Sequence, residues 1–164
     1  FLQHKEQEIE RMTQEIVNAC THLAGKKIGA LIVLQQNITL KEYEDTGISL
    51  QAKVSAELIE AIFHTTSPMH DGAIIIGNQR IRSASSILPH SYKNTPGLGT
   101  RHKAALGLSE TTDAAVIVVS EEKGTISFAK GGSLEKNIQA DMLYKLIIQT
   151  LQPKKKKKNH RKKS

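Results

Sequence analysis

The chain has 164 residues, the length of one domain, and its hydrophobic fraction of 38% and charged fraction of 24% exclude a disordered or fibrous protein. The net charge is +7, but eight of the 23 basic residues lie in the terminal segment 153–164. The remaining chain carries 15 basic and 16 acidic residues, which argues against a specific nucleic-acid partner because no basic face is built into the fold.

Segment 153–164 is predicted to be a disordered lysine-rich tail, because a run of like charges repels itself. Contact of this tail with anionic lipid or nucleic acid is the alternative. The single Cys20 excludes an internal disulfide framework and a cysteine-based zinc site, so we expect it to pack as a small buried residue on a helix. No apolar run approaches the ~20 residues that cross a bilayer. The chain begins at Phe1 rather than Met, which leaves room for a membrane segment upstream.

The first third of the chain predicts two helices and one buried strand. Apolar side chains three and four residues apart between Ile9 and Leu23 are typical of an amphipathic helix. A short continuous apolar run indicates a strand that is buried on both faces, and Ser55 is a suitable N-cap for the second helix. The predicted elements are a helix over 1–25, a strand over 28–34, a loop through 45–47 and a helix over 55–63.

Residues 26–152 are predicted to form a single domain. In the rest of this domain, the sequence predicts strands and helices that interleave without strict alternation. The pair Gly77-Asn78 is predicted to turn between two strands, Thr100 to cap a helix and Gly131-Gly132 to end a strand. The predicted elements are strands over 73–76 and 81–88, a loop over 89–99, a helix over 100–109, strands over 114–119 and 125–129, and a helix over 134–151. The pattern predicts an α/β (α+β) fold in which a mixed central sheet is flanked by helices on both faces.

Polar residues concentrate in three short segments at strand ends, 69–73, 98–103 and 120–122, where ligands of open sheets gather. Asp71 precedes a strand, and Gly72 after it would let a ligand approach the backbone, although an Asp in an ordinary turn is an equal alternative. Residues 99–102 begin a predicted helix, whose free N–H groups attract phosphate.

Thr100 can add a hydroxyl and Arg101 a forked cation to such a phosphate site, which suits a polyphosphate. The alternative is a capped helix with two exposed basic residues. Glu121 and Glu122 can hold a divalent cation or merely be solvated, and His70 beside Asp71 adds a nitrogen ligand that favours manganese or cobalt. Together these residues are the set that phosphoryl or nucleotidyl transfer requires. The motifs of common ATPases, dehydrogenases and hydrolases are missing.

The segments 71–73 and 99–103 resemble the Asp-Gly-Ala and Arg-His-Arg signatures of diadenylate cyclases, which join two ATP into cyclic di-AMP. The similarity extends to further segments of the membrane-anchored type of this family, at 28–32, 46–48, 52–55, 106–110, 118–122 and 129–132. Two residues depart from the family pattern, since Lys103 replaces the second Arg and Ile87 replaces a frequent Tyr. The resemblance implies a seven-stranded mixed sheet and makes residues 26–152 the cyclase domain.

The resemblance also implies a role for each site residue. The implied catalytic residues are Asp71, Arg101 and His102, of which Asp71 assists the attacking 3′-hydroxyl. The implied ATP-binding residues are Gly72, Ala73, Leu88, Gly99, Thr100, Arg101, His102, Lys103 and Ser120. The implied ligands of a divalent metal (Mn²⁺, Mg²⁺ or Co²⁺) are His70, Asp71 and Glu122.

By the same resemblance, we expect catalysis at the face-to-face interface of a homodimer. The full-length protein would lie in the cell membrane with its cyclase domain facing the cytoplasm, and the present chain would be a soluble fragment. A membrane regulatory protein and a cell-wall precursor mutase are the implied partners. The alternative function is a nucleotide-binding sensor of the same fold that has lost turnover, which Lys103 and Ile87 motivate.

Overall fold

A seven-stranded mixed sheet is the centre of the computed structural model, which describes residues 2–152. The strands are β1 (Ala30–Leu34), β2 (Ile48–Lys53), β3 (Ala73–Gly77), β4 (Arg80–Ser86), β5 (Ala115–Val119), β6 (Ile126–Lys130) and β7 (Ser133–Glu135), in the order β2-β4-β3-β1-β5-β6-β7. The helices are α1 (Leu2–Gly25), α2 (Lys41–Glu44), α3 (Ala56–Phe63), α4 (Thr100–Thr111) and α5 (Ala140–Leu151). Strands β1 and β3 pair in parallel and the other neighbours pair antiparallel, which confirms the mixed sheet.

The two faces of the sheet bury different helices, as predicted. Successive residues of a strand point to opposite faces, so the fully buried Ile32 and Val33 belong to different hydrophobic clusters. Ile32 packs in the cluster that contains residues of α1, α3 and α5, whereas Val33 packs in the cluster that contains residues of α4. All five residues of β1 are buried, which confirms the expectation of a strand covered on both faces.

Helix α1 ends near Gly25 as predicted, but its cap is a lysine rather than a glycine. Lys27 has a left-handed backbone, with φ of 53°. The Lys27 N–H donates to Ala24 O at 3.1 Å and the Ile28 N–H donates to Leu23 O at 2.9 Å, the pair of bonds that closes a Schellman motif. Because of this turn, Lys27 and Ile28 lie at the start of β1.

The predicted burial of Cys20 is confirmed. Its side chain lies within the cluster beneath α1, α3 and α5 with no solvent exposure. Burial raises the pKa of the Cys20 thiol to about 12, so the thiol stays protonated and unreactive in the folded chain.

Two strands were not predicted. The loop predicted through 45–47 is only the short connection between α2 and β2. Strand β2 lies at an edge of the sheet, and most of its residues are exposed. The last helix was predicted from Leu134 but begins at Ala140, because Gly131 and Gly132 both adopt positive φ and turn the chain back as β7. Lys130 then pairs with Ser133, so this Gly-Gly pair makes a two-residue hairpin.

Two predicted local signals were shifted by one residue. The turn between β3 and β4 is Asn78-Gln79 rather than Gly77-Asn78, since these two residues have φ of 53° and 63°. Helix α4 has Gly99 rather than Thr100 at its N-cap, because Thr100 already has a helical backbone. The predicted cap by the Thr100 hydroxyl is therefore wrong. By contrast, Ser55 caps α3 as predicted, and its Oγ accepts from the Leu58 N–H at 3.1 Å.

Within residues 2–152, no helix combines the length and the apolar character that crossing a membrane requires. The predicted lysine-rich tail, 153–164, lies outside the described residues.

We expect Gly107→Ala to destabilise the fold, although alanine is the better helix former. A Cβ at position 107 of α4 would lie 2.1 Å from Pro89 O and 2.7 Å from Ser91 N, which are backbone atoms of the loop that leads to α4. The gain in helix propensity is about 0.5–1 kcal/mol, whereas overpacking costs typically ~1–3 kcal/mol. Urea denaturation should therefore show a lower midpoint. Gly25→Ala in α1, where a Cβ meets nothing within 4 Å, is the matched control. An unchanged midpoint for Gly107→Ala would show that the loop does not pack as described.

Candidate active site

The topology brings the predicted polar segments to one edge of the sheet. Ala30 at the start of β1 pairs with Val119 at the end of antiparallel β5. Because β1 and β3 are parallel, the start of β3 lies at the same edge. Residues 71–72 before β3 and 120–122 after β5 therefore meet beside the start of α4. A cleft of about 780 Å³ opens there, a volume typical of small-molecule sites.

Most of the predicted site residues line this cleft. They are His70, Asp71, Gly72, Gly99, Thr100, Arg101, His102, Ser120 and Glu122. Ala73 and Leu88 are instead buried in the core beneath α4, and Lys103 lies one residue past the cleft lining. The predicted contacts of these three residues with the nucleotide stay predictions. Ile87, which replaces the family's frequent Tyr, has 68% of its surface exposed.

The Asp71 carboxylate is highly accessible in the cleft, more so than that of Glu121. Its side chain is 89% exposed. The backbone beside it is held tightly, because Gly72 has φ of 86° and a Cβ there would lie 2.8 Å from Ser86 O. A residue with a side chain cannot replace Gly72 without displacing β4, so Asp71 is presented to the cleft from a fixed turn.

His70 offers a free nitrogen lone pair beside Asp71. Its Nδ1 is 2.7 Å from Ser67 O, and because a carbonyl only accepts hydrogen bonds, Nδ1 carries a proton. In the neutral imidazole, Nε2 is then unprotonated, and it lies 3.3 Å from Asp71 Oδ1. Two electron-pair donors at this separation fit a shared cation, and the Nδ1–H bond to a carbonyl is the usual second contact of a metal-binding histidine.

The predicted metal ligands do not form a complete protein site. Among residues 2–152, no group of three or more His, Cys, Asp and Glu side chains is close enough to hold a metal ion. His70 and Asp71 are adjacent, but Glu122 does not complete a three-residue cluster with them. A cation at this position would take its other ligands from water or from substrate oxygens, as Mg²⁺ commonly does.

The start of α4 is suited to an anion. No side chain in the described residues caps it, and its first turn contains no acidic residue, so its free N–H groups and the helix dipole favour negative charge. Arg101 Nη1 lies 3.5 Å from Glu121 Oε1, with 26% of the Arg101 side chain exposed. Glu121 thus pairs with the arginine, while Glu122 also lines the cleft.

The surroundings of His102 favour the neutral form of its imidazole. Burial lowers the pKa of its imidazole below the ordinary value, and the positive charges of Lys136 and Arg101 act in the same direction. The Glu122 carboxylate opposes them. A neutral imidazole can donate one hydrogen bond to a phosphate oxygen but adds no positive charge until an anion raises its pKa.

The low pKa of His102 should make part of the stability depend on pH. As the pH falls through the ordinary pKa of histidine, the unfolded chain binds a proton at this position before the folded chain does, because the pKa is lower in the folded chain. The free energy of unfolding therefore decreases. We expect His102→Gln to lose less stability than the wild type between pH 7.5 and pH 5, measured by urea denaturation. His90→Gln in the neighbouring loop is the control. An equal loss for His102→Gln and the wild type would contradict the burial of this imidazole.

Several residues that line the cleft were not predicted from the sequence. Three lysines, Lys27, Lys123 and Lys136, surround it together with Gly29. Lys27 and Lys136 lie outside the predicted motifs and gave no signal, since a capping position is usually glycine and an isolated lysine is usually solvated. These lysines add positive charge around an opening that also contains three carboxylates, those of residues 71, 121 and 122.

Comparisons with known proteins agree with this fold. Residues 17–134 match the family model DAC, described as DisA bacterial checkpoint controller nucleotide-binding. The chain superposes with a TM-score of 0.84 on a double mutant of DacA from Staphylococcus aureus, which is 38% identical, over 86% of this chain and 95% of that one. A hypothetical membrane spanning protein from Bacillus cereus has a TM-score of 0.74 and 46% identity, over 77% of this chain and 63% of that one.

Two relatives are similar in sequence. A diadenylate cyclase of Listeria monocytogenes is 43% identical over 148 residues, which are 89% of this chain and 54% of the relative. The cyclic di-AMP synthase CdaA of Bacillus subtilis is 40% identical over 140 residues, which are 84% of this chain and 51% of the relative. The chain therefore spans about half the length of these relatives.

Proposed function

We propose that this chain, which belongs to the DisA bacterial checkpoint controller nucleotide-binding family, is a diadenylate cyclase that converts two ATP into cyclic di-AMP and two pyrophosphate. One observation carries the proposal: the exposed Asp71 carboxylate, the Arg101 guanidinium and the uncapped start of α4 line the same cleft. The carboxylate can assist an attacking hydroxyl, and the guanidinium and the helix start can bind phosphate. The names of the Listeria and Bacillus relatives support it.

The proposed reaction needs few protein groups. In each half-reaction, a bond forms between the 3′-oxygen of one ATP and the α-phosphorus of the other, and the bond from that phosphorus to the bridging oxygen of pyrophosphate breaks. Asp71 accepts a hydrogen bond from the attacking 3′-hydroxyl, takes its proton as the new bond forms, and releases that proton to water. Arg101, His102 and the N–H groups of α4 bind the triphosphate, and Arg101 offsets the charge that develops on the leaving pyrophosphate.

A divalent cation fits beside His70 and Asp71. His70 Nε2 and Asp71 Oδ1 would hold it, and when bound it would neutralise phosphate charge and polarise the phosphoryl oxygens. The mixed nitrogen and oxygen donors suit manganese or cobalt as well as magnesium. Since the residues of this chain supply few ligands, we propose that the phosphates of ATP complete the coordination.

We propose that two chains act face to face. Cyclic di-AMP contains two symmetry-related phosphodiester bonds, and each chain offers one cleft of about 780 Å³, within the usual range of small-molecule sites. Two copies related by a two-fold axis would bring each 3′-hydroxyl to the partner's α-phosphate. The high exposure of Asp71 supports this arrangement, because its carboxylate is free to meet a nucleotide from outside its own cleft.

We propose further that the full-length protein is membrane-anchored, with this domain in the cytoplasm where ATP is available. The description of the Bacillus cereus structure as membrane spanning supports the anchor. The regulatory membrane protein and the cell-wall precursor mutase stay predictions.

The alternative of a sensor without turnover is less favoured by the cleft. Of the two residues that motivate it, Lys103 lies outside the cleft lining and Ile87 is exposed outside it, so neither substitution removes a group that lines the cleft. Asp71 and Arg101 are both present in the cleft.

Incubation of the purified chain with ATP and Mn²⁺, followed by mass spectrometry, tests the proposed function. We expect cyclic di-AMP and two pyrophosphate for each molecule of it. ATP binding by calorimetry, with no product across Mn²⁺, Mg²⁺ and Co²⁺ at several protein concentrations, would contradict the cyclase and favour the sensor. A chain without the tail 153–164 is the control for the charge of that tail. We expect it to form cyclic di-AMP at the same rate as the full chain.

A further inference from the structure

Gly29 lies directly against the Arg101 guanidinium. It precedes β1, and a Cβ built at this position would lie 2.4 Å from both Cζ and Nη1 of Arg101 and 2.9 Å from its Nε. These are the three nearest heavy atoms, so the guanidinium is the first group that a side chain at this position would meet. Ordinary contacts of a Cβ are about 3.4–4 Å, so no side chain can share the space.

The backbone itself does not require glycine at position 29. Its φ lies outside the left-handed region, which distinguishes it from Gly72 with φ of 86°. The one property of glycine that this position uses is the missing side chain. The functional reason for a glycine at position 29 is therefore that its missing side chain leaves space for the Arg101 guanidinium.

The ion pair of the guanidinium with Glu121 holds it less firmly. Arg101 Nη1 is 3.5 Å from Glu121 Oε1, but the Glu121 side chain is 64% exposed. Exposed ion pairs of this kind contribute little because water screens them and both side chains lose freedom. The close fit over Gly29, more than the pair with Glu121, therefore fixes where the guanidinium lies.

We infer that Gly29 is a positioning residue, which holds the Arg101 guanidinium at the cleft in the place where it binds the phosphates of the nucleotide. The inference deepens the proposed function and rests on it for the identity of the ligand. A methyl group at position 29 displaces the guanidinium from the start of α4. Its forked donors then no longer converge on the same phosphate as the N–H groups of the helix.

The test is a double-mutant cycle of Gly29→Ala, Arg101→Ala and the double variant. Calorimetry measures binding of 3′-deoxy-ATP, which lacks the attacking hydroxyl and cannot react. We expect Gly29→Ala to bind it about tenfold more weakly, the change that losing one charged hydrogen bond gives. The double variant should bind as Arg101→Ala does, because without the guanidinium the methyl group displaces nothing. Gly25→Ala, with nothing within 4 Å of a Cβ, should bind as the wild type.

The melting temperature provides a readout that does not use the ligand. Where Gly29→Ala lowers it, the double variant should recover most of the loss, since the overlapping atoms belong to Arg101. Wild-type affinity in Gly29→Ala, or effects of the two substitutions that simply multiply, would overturn the inference. A wild-type chain that binds 3′-deoxy-ATP but makes no cyclic di-AMP would contradict only the proposed function, and the cycle would still decide the role of Gly29.

Discussion

Asp71→Asn is expected to lower the rate of cyclic di-AMP formation by about 10²–10⁴-fold, the usual contribution of a group that assists proton transfer. The amide has the size of the carboxylate but no negative charge to accept the proton of the 3′-hydroxyl. The Asp71 side chain is 89% exposed and its Oδ1 lies 3.3 Å from His70 Nε2, so folding should be unaffected. The rate is measured by mass spectrometry, and ATP affinity by calorimetry without metal, where we expect less than a threefold change.

Asp45→Asn is the matched control for this substitution. Asp45 is also exposed, and it pairs with Lys41 at 3.2 Å outside the cleft. We expect wild-type turnover for this variant. Turnover near the wild-type rate in Asp71→Asn would show that Asp71 does not act on the hydroxyl. A large loss of stability in the same variant would place Asp71 among the structural residues.

Arg101→Ala is expected to weaken ATP binding itself. Removal of a forked cation from phosphates costs roughly 1.5–3 kcal/mol, which corresponds to an affinity at least about tenfold lower. The Arg101 side chain faces the cleft with 26% of its surface exposed, so truncation leaves both hydrophobic clusters intact. Calorimetry with 3′-deoxy-ATP measures the change, and the melting temperature should stay close to that of the wild type.

Two further variants make the role of Arg101 specific. Arg101→Lys keeps the positive charge and loses the fork, so we expect an affinity between those of the wild type and Arg101→Ala. Arg80→Ala removes an exposed arginine at the opposite end of the β3–β4 hairpin and should bind as the wild type. If Arg101→Ala binds the nucleotide as tightly as the wild type, the phosphates lie elsewhere in the cleft.

Much of the fold was predictable because its signals are local. The period of the apolar side chains predicted α1, and the continuous apolar run predicted β1. Ser55 predicted the start of α3. Strand β2 was missed although residues 48–53 alternate apolar and polar side chains, because an edge strand with exposed residues has little burial to distinguish it from a loop. Strand β7 was missed because Gly131-Gly132 was interpreted as the end of a strand rather than a hairpin turn.

The motif residues of the site were predictable, but the contacts between them were not. Residues 70–72, 99–102 and 120–122 are polar segments at the ends of elements, and they line one cleft. The contact of Gly29 with Arg101 joins positions that are far apart in the chain, and it follows from the packing of α4 against β1. No spacing in the sequence signals it. Likewise, Lys27 reaches the cleft because of a left-handed cap, a position where glycine would be expected.

The proposed mechanism requires that two clefts, each holding one ATP, meet for the reaction to occur. The most direct measurement is the rate of cyclic di-AMP formation per chain at saturating ATP and Mn²⁺, over protein concentrations at which sedimentation shows both monomer and dimer. We predict that this rate follows the fraction of chains in the dimer and falls toward zero where the monomer dominates. A rate per chain that stays constant while the protein dissociates into monomers would contradict the account.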